Sequence, residues 1–163
     1  MKTIIISAFP GTGKTYFYEK YKNSDIKVLD SDSSNFSWIK DENGNNTTER
    51  NPDFPQNYIN HIKENIGKVD IIFVSSHDIV RKALKDNNIN YINIIPCDSC
   101  KDEYLRRYRN RGNSESFISM MDKNWDSFID SMIKDDTDCL MVFNNEYITD
   151  LKYVIERMVS WEL

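Results

Sequence analysis

Short apolar runs separated by polar turns recur along the chain. Five of these runs are mostly rich in Ile and Val and predict short buried strands, at residues 3–7, 26–29, 71–74, 91–95 and 140–143. Between and after them, six helical patterns occupy residues 14–21, 58–66, 79–84, 101–111, 117–133 and 147–159. Alternating strands and helices predict an α/β fold, with a five-stranded parallel sheet and helices on both faces.

One long polar interval, residues 31–54, interrupts this alternation. It includes Asp41-Glu42-Asn43-Gly44-Asn45-Asn46 and offers little that could pack in a core. A loop of this length in a compact domain is usually functional or disordered. Two aromatic residues within it, Phe36 and Trp38, either stack on a nucleobase or attach the interval to the core.

Composition and charge narrow the class of protein. A hydrophobic content of 39% and a net charge of −5 are those of a soluble globular chain, and they argue against a protein that mainly coats nucleic acid. No apolar run approaches the roughly 20 residues that a membrane-spanning helix needs. Because the three cysteines are odd in number and no export signal precedes them, we expect free thiols and a cytoplasmic location.

A phosphate-binding pattern directly follows the first predicted strand. Ala8-Phe9-Pro10-Gly11-Thr12-Gly13-Lys14-Thr15 matches G-x-x-x-x-G-K-[ST] except at Ala8, a small residue that fits there if its φ is negative. The glycines let backbone N–H groups surround an anion at the start of a helix. The pattern predicts a site for ATP and Mg²⁺, with Lys14 on the outer phosphates and the Thr15 hydroxyl on the metal. We expect the nucleotide to contact Pro10, Gly11, Thr12, Gly13, Lys14 and Thr15.

Two carboxylates follow the second predicted strand. Asp30 and Asp32 are separated by one residue and therefore face the same way in an extended segment. They lie at the same edge of the predicted sheet as the phosphate loop, where open α/β sheets bind their ligands. A carboxylate for Mg²⁺ and a general base would suit phosphoryl transfer, although the pair could also simply end a strand in a turn.

The phosphate loop together with this Asp-x-Asp pair resembles small P-loop kinases of the nucleoside-monophosphate and shikimate kinase type. From SAFPGTGKT through VLDSDSSNFSW to RYRNRGN and NWDSFI, the chain also looks like the small kinase-like ATPases that bacteriophages and Gram-positive bacteria often encode. The resemblance implies a three-layer P-loop fold in which Asp30 and Asp32 divide the metal and base roles. It leaves open which carboxylate does which.

A cationic helical segment carries the candidate lid. Residues 101–111 contain five cations and two anions, and Arg107 and Arg111 fall on one side because they are four residues apart. In kinases of the type that the chain resembles, arginines of a lid close over the transferring phosphoryl group. We expect Arg107 and Arg111 in that role, with Arg106 in reserve, or else a solvated helix face. The lid then covers residues 106–113, and Gly112 ends the helix.

The remaining candidate residues add less to the predicted function. The third predicted strand ends in Ser75-Ser76-His77 without the carboxylate that motor-type P-loop ATPases place there, which disfavours a remodelling ATPase. These three residues would line the cleft, although His77 could simply precede and cap the next helix. Cys97 and Cys100 form a lone C-x-x-C without further ligands, so we expect neither a zinc site nor a redox centre.

These features together predict one domain over residues 1–163, with residues 31–54 on the acceptor side of the site. The expected activity is transfer of the γ-phosphoryl group of ATP to a small acceptor, above all a nucleoside or nucleotide. Two alternatives remain open: a kinase of polynucleotide ends or of modified bases in DNA, and a nucleotide-binding switch that transfers nothing. The short cationic segment in an acidic chain disfavours a nucleic-acid partner.

Overall fold

A computed structural model of the protein describes residues 2–151 and Ile155. Along the described chain, the strands and α-helices are β1 (Ile4–Ala8), α1 (Lys14–Tyr21), β2 (Val28–Asp30), α2 (Ser34–Ser37), β3 (Trp38–Lys40), β4 (Asn46–Arg50), α3 (Gln56–Asn65), β5 (Ile71–Val74), α4 (Asp78–Asp86), β6 (Ile92–Pro96), α5 (Lys101–Asn110), α6 (Glu115–Ile133) and β7 (Cys139–Val142). Short 3-10 helices occupy Asp98–Cys100 and Ile148–Leu151.

The predicted sheet is confirmed. Within the described residues it has five strands in the order β2-β5-β1-β6-β7, and every neighbouring pair is parallel. The chain passes from β5 on one side of β1 to β6 on the other side, so the strand order switches around β1. In open parallel sheets, ligands bind beyond the carboxyl ends of the strands at such a switch point.

Helices cover both faces of this sheet, which explains why its strands are mostly apolar. On β1, Ile4 and Ile6 pack with Phe17 of α1, whereas Ile5 packs on the other face with the helices α3 and α4. The alternation follows from side chains pointing to opposite faces of a strand. A further cluster joins α5 and α6 around the buried Trp125. Together these clusters hold the carboxyl edge of the sheet and its loops in place.

The expectation of a long loop at residues 31–54 needs correction. This interval contains α2 and an antiparallel hairpin in which Trp38 pairs with Arg50 and Lys40 pairs with Asn46. The Asp41 carboxylate accepts hydrogen bonds from the backbone of Asn43 and Asn45, which closes the turn. Side-chain hydrogen bonds and strand pairing therefore order a polar stretch that buries little.

The aromatic residues of the interval have different surroundings. Phe36 packs against Tyr58 and His61, with ring centroids 5.2 and 4.8 Å apart, and so attaches α2 to α3. The Arg50 guanidinium lies 3.9 Å from the centre of the Trp38 ring. Of the two readings for Phe36, the structure favours attachment to the core over stacking on a base.

Some expectations concern the end of the chain and its thiols. Of the predicted helix at residues 147–159, the structure describes Tyr147, the 3-10 turn Ile148–Leu151 and the buried Ile155, and residues 152–154 and 156–159 lie outside the described ones. In the described part of the chain the cysteines are free, with Cys97 and Cys100 buried and Cys139 exposed. None of the described helices combines the length and apolarity needed to cross a membrane.

Candidate active site

A cavity of about 1120 Å³ opens at the carboxyl edge of the sheet. Drug-sized ligands occupy roughly 300–1,000 Å³, so this volume has room for a nucleotide and a second small molecule. The cavity is lined by most of the residues that the sequence predicted for the site: Pro10, Gly11, Gly13, Lys14, Thr15, Asp30, Asp32, Arg107 and Arg111. Thr12 is fully buried instead, and its hydroxyl donates to the Phe9 carbonyl oxygen over 2.7 Å.

The phosphate loop needs glycine at two positions. Gly11 and Gly13 adopt φ values of +87° and +98°, which other residues rarely take. A Cβ on Gly11 would lie 3.0 Å from the Tyr108 ring, and one on Gly13 would lie 3.0 Å from the Tyr147 ring. Ala8 is not among the residues with positive φ, so its methyl group is accommodated as expected. The loop leads directly into the first N–H groups of α1.

Lys14 is poised for an anion. Its Nζ donates to the Ala8 carbonyl oxygen over 2.9 Å, inside the loop. The pKa of Lys14 is lowered to about 8, mainly by burial and also by the charge of Arg111, whereas Asp30 and Asp32 oppose the shift. A polyphosphate in the cavity would stabilise the charged form of this side chain.

The two carboxylates make different contacts. Asp30 Oδ2 accepts a hydrogen bond of 2.9 Å from the Thr15 hydroxyl, and this bond joins the end of β2 to the phosphate loop. Asp32 Oδ1 accepts from the Ser34 backbone N–H over 2.8 Å and faces the start of α2. Hydroxyl and carboxylate oxygens are the hard donors that Mg²⁺ prefers, so Thr15 and Asp30 fit a magnesium site.

The two predicted lid arginines occupy different environments. Arg107 is buried and donates to the carbonyl oxygens of Gly11 and Glu146 over 2.9 and 3.0 Å. It also forms an ion pair with Glu103, and its guanidinium lies 4.0 Å from the centre of the Tyr147 ring. In this conformation Arg107 ties the phosphate loop to the segment after β7. Arg111, by contrast, is exposed on the cavity wall, and Gly112 follows it with φ +77°.

The sequence reasoning missed aromatic residues that support the phosphate loop. Tyr108 donates its hydroxyl to the Pro10 carbonyl oxygen over 2.8 Å, and the Tyr104 ring packs beside Gly11. Tyr104, Arg107, Tyr108 and Arg111 lie at i, i+3, i+4 and i+7, so one face of α5 carries them all. That spacing was the available signal. Tyr147, from the segment after β7, gave no such signal.

The other side of the cavity is rich in hydroxyl groups. Ser31 and Ser33 follow β2, whereas Ser75, Ser76 and His77 follow β5, and all of them line the cavity. His77 precedes α4 without a capping bond from its side chain, and partial desolvation lowers the pKa of its imidazole although the residue is exposed. The end of β5 thus carries neutral polar groups where motor-type ATPases carry a carboxylate.

No family model matches the sequence, and no curated protein matches it either. Solved structures do resemble it. A tunicamycin resistance protein from Deinococcus radiodurans has 12% sequence identity and a TM-score of 0.61, over 97% of this chain and 96% of that one. A gluconokinase from Sinorhizobium meliloti 1021 has 12% identity and a TM-score of 0.52, over 99% and 98%. At this identity the similarity concerns the fold, and the chain has a P-loop kinase-like fold.

Proposed function

We propose that the protein transfers the γ-phosphoryl group of ATP to a small acceptor of the nucleoside or nucleotide type. The hydrogen bond between Thr15 and Asp30 carries this proposal, because it couples the phosphate loop to the carboxylate pair on β2. Asp32 lies two residues further along the same segment and lines the same cavity. A phosphate-binding loop, a metal ligand and a second carboxylate are the parts that phosphoryl transfer to an alcohol requires.

The donor half of the reaction follows from the loop. Its backbone N–H groups and the start of α1 would hold the β- and γ-phosphates, with Lys14 between the outer phosphate oxygens. Thr15 and Asp30 would hold Mg²⁺, which when bound neutralises charge that develops on the phosphate oxygens. Arg111 faces the cavity from the end of α5 and would stabilise the transferring group.

Asp32 would act on the acceptor hydroxyl group. Because Asp30 is engaged with Thr15, we assign the metal to Asp30 and the base role to Asp32. Asp32 takes the proton from the acceptor hydroxyl as the acceptor oxygen bonds to the γ-phosphorus. The bond from that phosphorus to the β–γ bridging oxygen breaks, and ADP leaves with the electron pair.

The decisive experiment follows labelled γ-phosphate from Mg·ATP to a panel of nucleosides, nucleotides, 5′-hydroxyl oligonucleotides and hydroxymethylated DNA. Lys14→Ala and Asp32→Asn should each abolish the labelled product, because they remove the phosphate cation and the base. Matched substitutions at exposed residues, Lys68→Ala and Asp25→Asn, should leave it unchanged. Full transfer by Lys14→Ala would rule the scheme out, and tight nucleotide binding without any transfer would favour a switch.

A further inference from the structure

The sheet order divides the cavity into two parts. β2 and β5 lie on one side of β1, whereas β6 and β7 lie on the other side with α5 following β6. We call the cavity wall that follows β2 and β5 the acceptor half; it consists of Ser31, Asp32, Ser33, Ser75, Ser76 and His77. Because the phosphate loop follows β1, it lies between this half and α5.

The acceptor half contains no lysine or arginine among the residues that the structure describes. The cations that line the cavity are Lys14 and Lys20 of α1 and Arg107 and Arg111 at the end of α5. Lys14 belongs to the phosphate loop. Arg107 already donates to the carbonyl oxygens of Gly11 and Glu146 and pairs with Glu103. The acceptor half instead presents hydroxyl groups, one carboxylate and the His77 imidazole. Desolvation lowers the pKa of that imidazole, although His77 is an exposed residue and water therefore screens part of the effect.

Two arginines lie near this half without lining it. Arg81 is buried behind it, where it donates to the Ser76 carbonyl oxygen and pairs with Asp135 over 2.6 Å. Arg50 is exposed on the hairpin and stacks on Trp38. Their charges reach His77 and help to lower its pKa, together with the charge of Lys14, whereas Asp78 opposes them. Neither arginine offers its donors to a ligand in the cavity.

This lining suits some acceptors better than others. A phosphate monoester carries about −1.5 to −2 charges at pH 7 and would find no lysine or arginine within the acceptor half, where it would lie beside the Asp32 carboxylate. Like charges placed together repel, and an unpaired charge also loses its hydration. An uncharged compound with several hydroxyl groups avoids both costs. It can exchange hydrogen bonds with the half-buried Ser75 and Ser76 and with His77.

We infer that the phosphoryl acceptor is an uncharged hydroxyl compound, such as a nucleoside or a polyol, and not a monophosphate. The inference rests on the proposed function, since it names the substrate class of the same site. Asp32 accepts the proton of the attacking hydroxyl, the γ-phosphoryl group passes from ATP to that oxygen, and the products are a phosphate monoester and ADP.

The test compares acceptors in matched pairs that differ by one phosphate group: thymidine with its 5′-monophosphate, adenosine with its 5′-monophosphate, and glycerol with glycerol 3-phosphate. Labelled product from Mg·ATP gives kcat/KM for each compound. The best uncharged acceptor should exceed its phosphorylated counterpart by at least about 100-fold. A monophosphate that is used as well as or better than its uncharged partner would overturn the inference and leave the proposed function standing.

If no acceptor is phosphorylated, binding measurements distinguish a failure of the proposed function from a failure of the inference. Calorimetry with the wild-type protein, Mg²⁺ and a non-hydrolysable ATP analogue measures affinity for the same pairs. Preferential binding of an uncharged member supports the inference although the proposed transfer has failed. Equal or tighter binding of the monophosphates overturns the inference, as does the absence of binding by every uncharged member.

Arg50 gives an internal control, because it is an exposed cation of the hairpin whose charge acts on His77 of the acceptor half although it does not line the cavity. Arg50→Gln should change kcat/KM for the uncharged acceptor by less than about two-fold, since surface changes away from a site have small effects. If wild-type protein used a monophosphate and Arg50→Gln lost more than about ten-fold on it alone, Arg50 would be a phosphate ligand and the inference would be wrong.

Discussion

At the scale of single residues, Lys14 combines a proposed role in binding with a cost in stability. In the proposed function its charge binds a polyphosphate, yet burial in the loop lowers its pKa to about 8 from the usual 10.5. The side chain is half-buried, so water screens part of this effect. Burying this charge costs stability, and a bound phosphate would offset that cost.

Lys14→Met should stabilise the protein in the absence of nucleotide and Mg²⁺. Because the folded pKa lies below the unfolded one, the unfolded chain holds the proton more tightly, and wild-type stability rises between pH 8 and 10.5. We expect a gain of about 1 kcal/mol below pH 8, discounted for exposure, which fades as the pH approaches 10.5. Urea unfolding at several pH values measures it, with the exposed Lys68→Met as control. A variant that is less stable than wild type at pH 7 would contradict this account.

At the scale of elements, α5 links the phosphate loop to the segment after β7. One face of this helix supports the phosphate loop through Tyr108 on Pro10, Arg107 on Gly11 and the Tyr104 ring beside Gly11. Arg107 and Glu103 also hold the segment after β7, since Arg107 donates to the Glu146 carbonyl oxygen and Glu103 accepts from the Asn145 N–H. The position of α5 therefore sets the shape of the loop.

Tyr108→Phe tests this support with the smallest possible change. It keeps the ring and removes the hydroxyl bond to the Pro10 carbonyl oxygen, so we expect a loss of about 1 kcal/mol in stability and a several-fold higher KM for ATP. Turnover at saturating ATP should change less, because Tyr108 touches the loop and no reacting atom. Kinetics beside Tyr18→Phe on the outer side of α1 would check this. An unchanged KM for ATP would mean that the loop keeps its shape unaided.

Sequence patterns predicted the strands and helices that bury most of their apolar residues. The Ile- and Val-rich runs gave all five strands of the parallel sheet, and α1 was predicted with its observed ends. The hairpin of β3 and β4 was missed because Asn46–Arg50 is polar and mostly exposed, so its strands leave no apolar pattern. Such a hairpin depends on its turn and on pairing, which a hydrophobic pattern does not record.

The parts of the site that could be predicted are those whose residues lie close together in the sequence. The phosphate loop and the Asp30–Asp32 pair are contiguous motifs, and the structure brings them together around one cavity. The contacts of Arg107 with Gly11 and Glu146 span 96 and 39 residues, and only the sheet order places those segments side by side. A cationic helix in the sequence could not reveal which of its arginines is buried.

At the scale of the whole molecule, one partly buried carboxylate joins elements from separate layers. Asp135 follows α6 and accepts hydrogen bonds from Arg81 and Lys85 of α4 and from Tyr91 and Asn93 around the start of β6. Burial alone would raise the pKa of Asp135, but these four donors together lower it to about 2. Since Arg81 also holds the Ser76 carbonyl oxygen, this network braces the cavity wall from behind.

Asp135→Asn should therefore destabilise the whole fold. Removing one partner leaves the Arg81 guanidinium buried without its counter-charge, which typically costs about 3–5 kcal/mol. The folded pKa lies below the unfolded value of 3.8, so the contribution of Asp135 is fully present above about pH 4 and is lost as the pH falls toward 2.

Urea unfolding at pH 7 measures the cost, and the exposed neighbour Asp136→Asn is the matched control. The stability gap between wild type and Asp135→Asn should narrow between pH 4 and 2, because protonation removes the same charge from the wild type. If both variants lost equally little at pH 7, the network would be incidental, and packing alone would hold α4, β6 and α6 together.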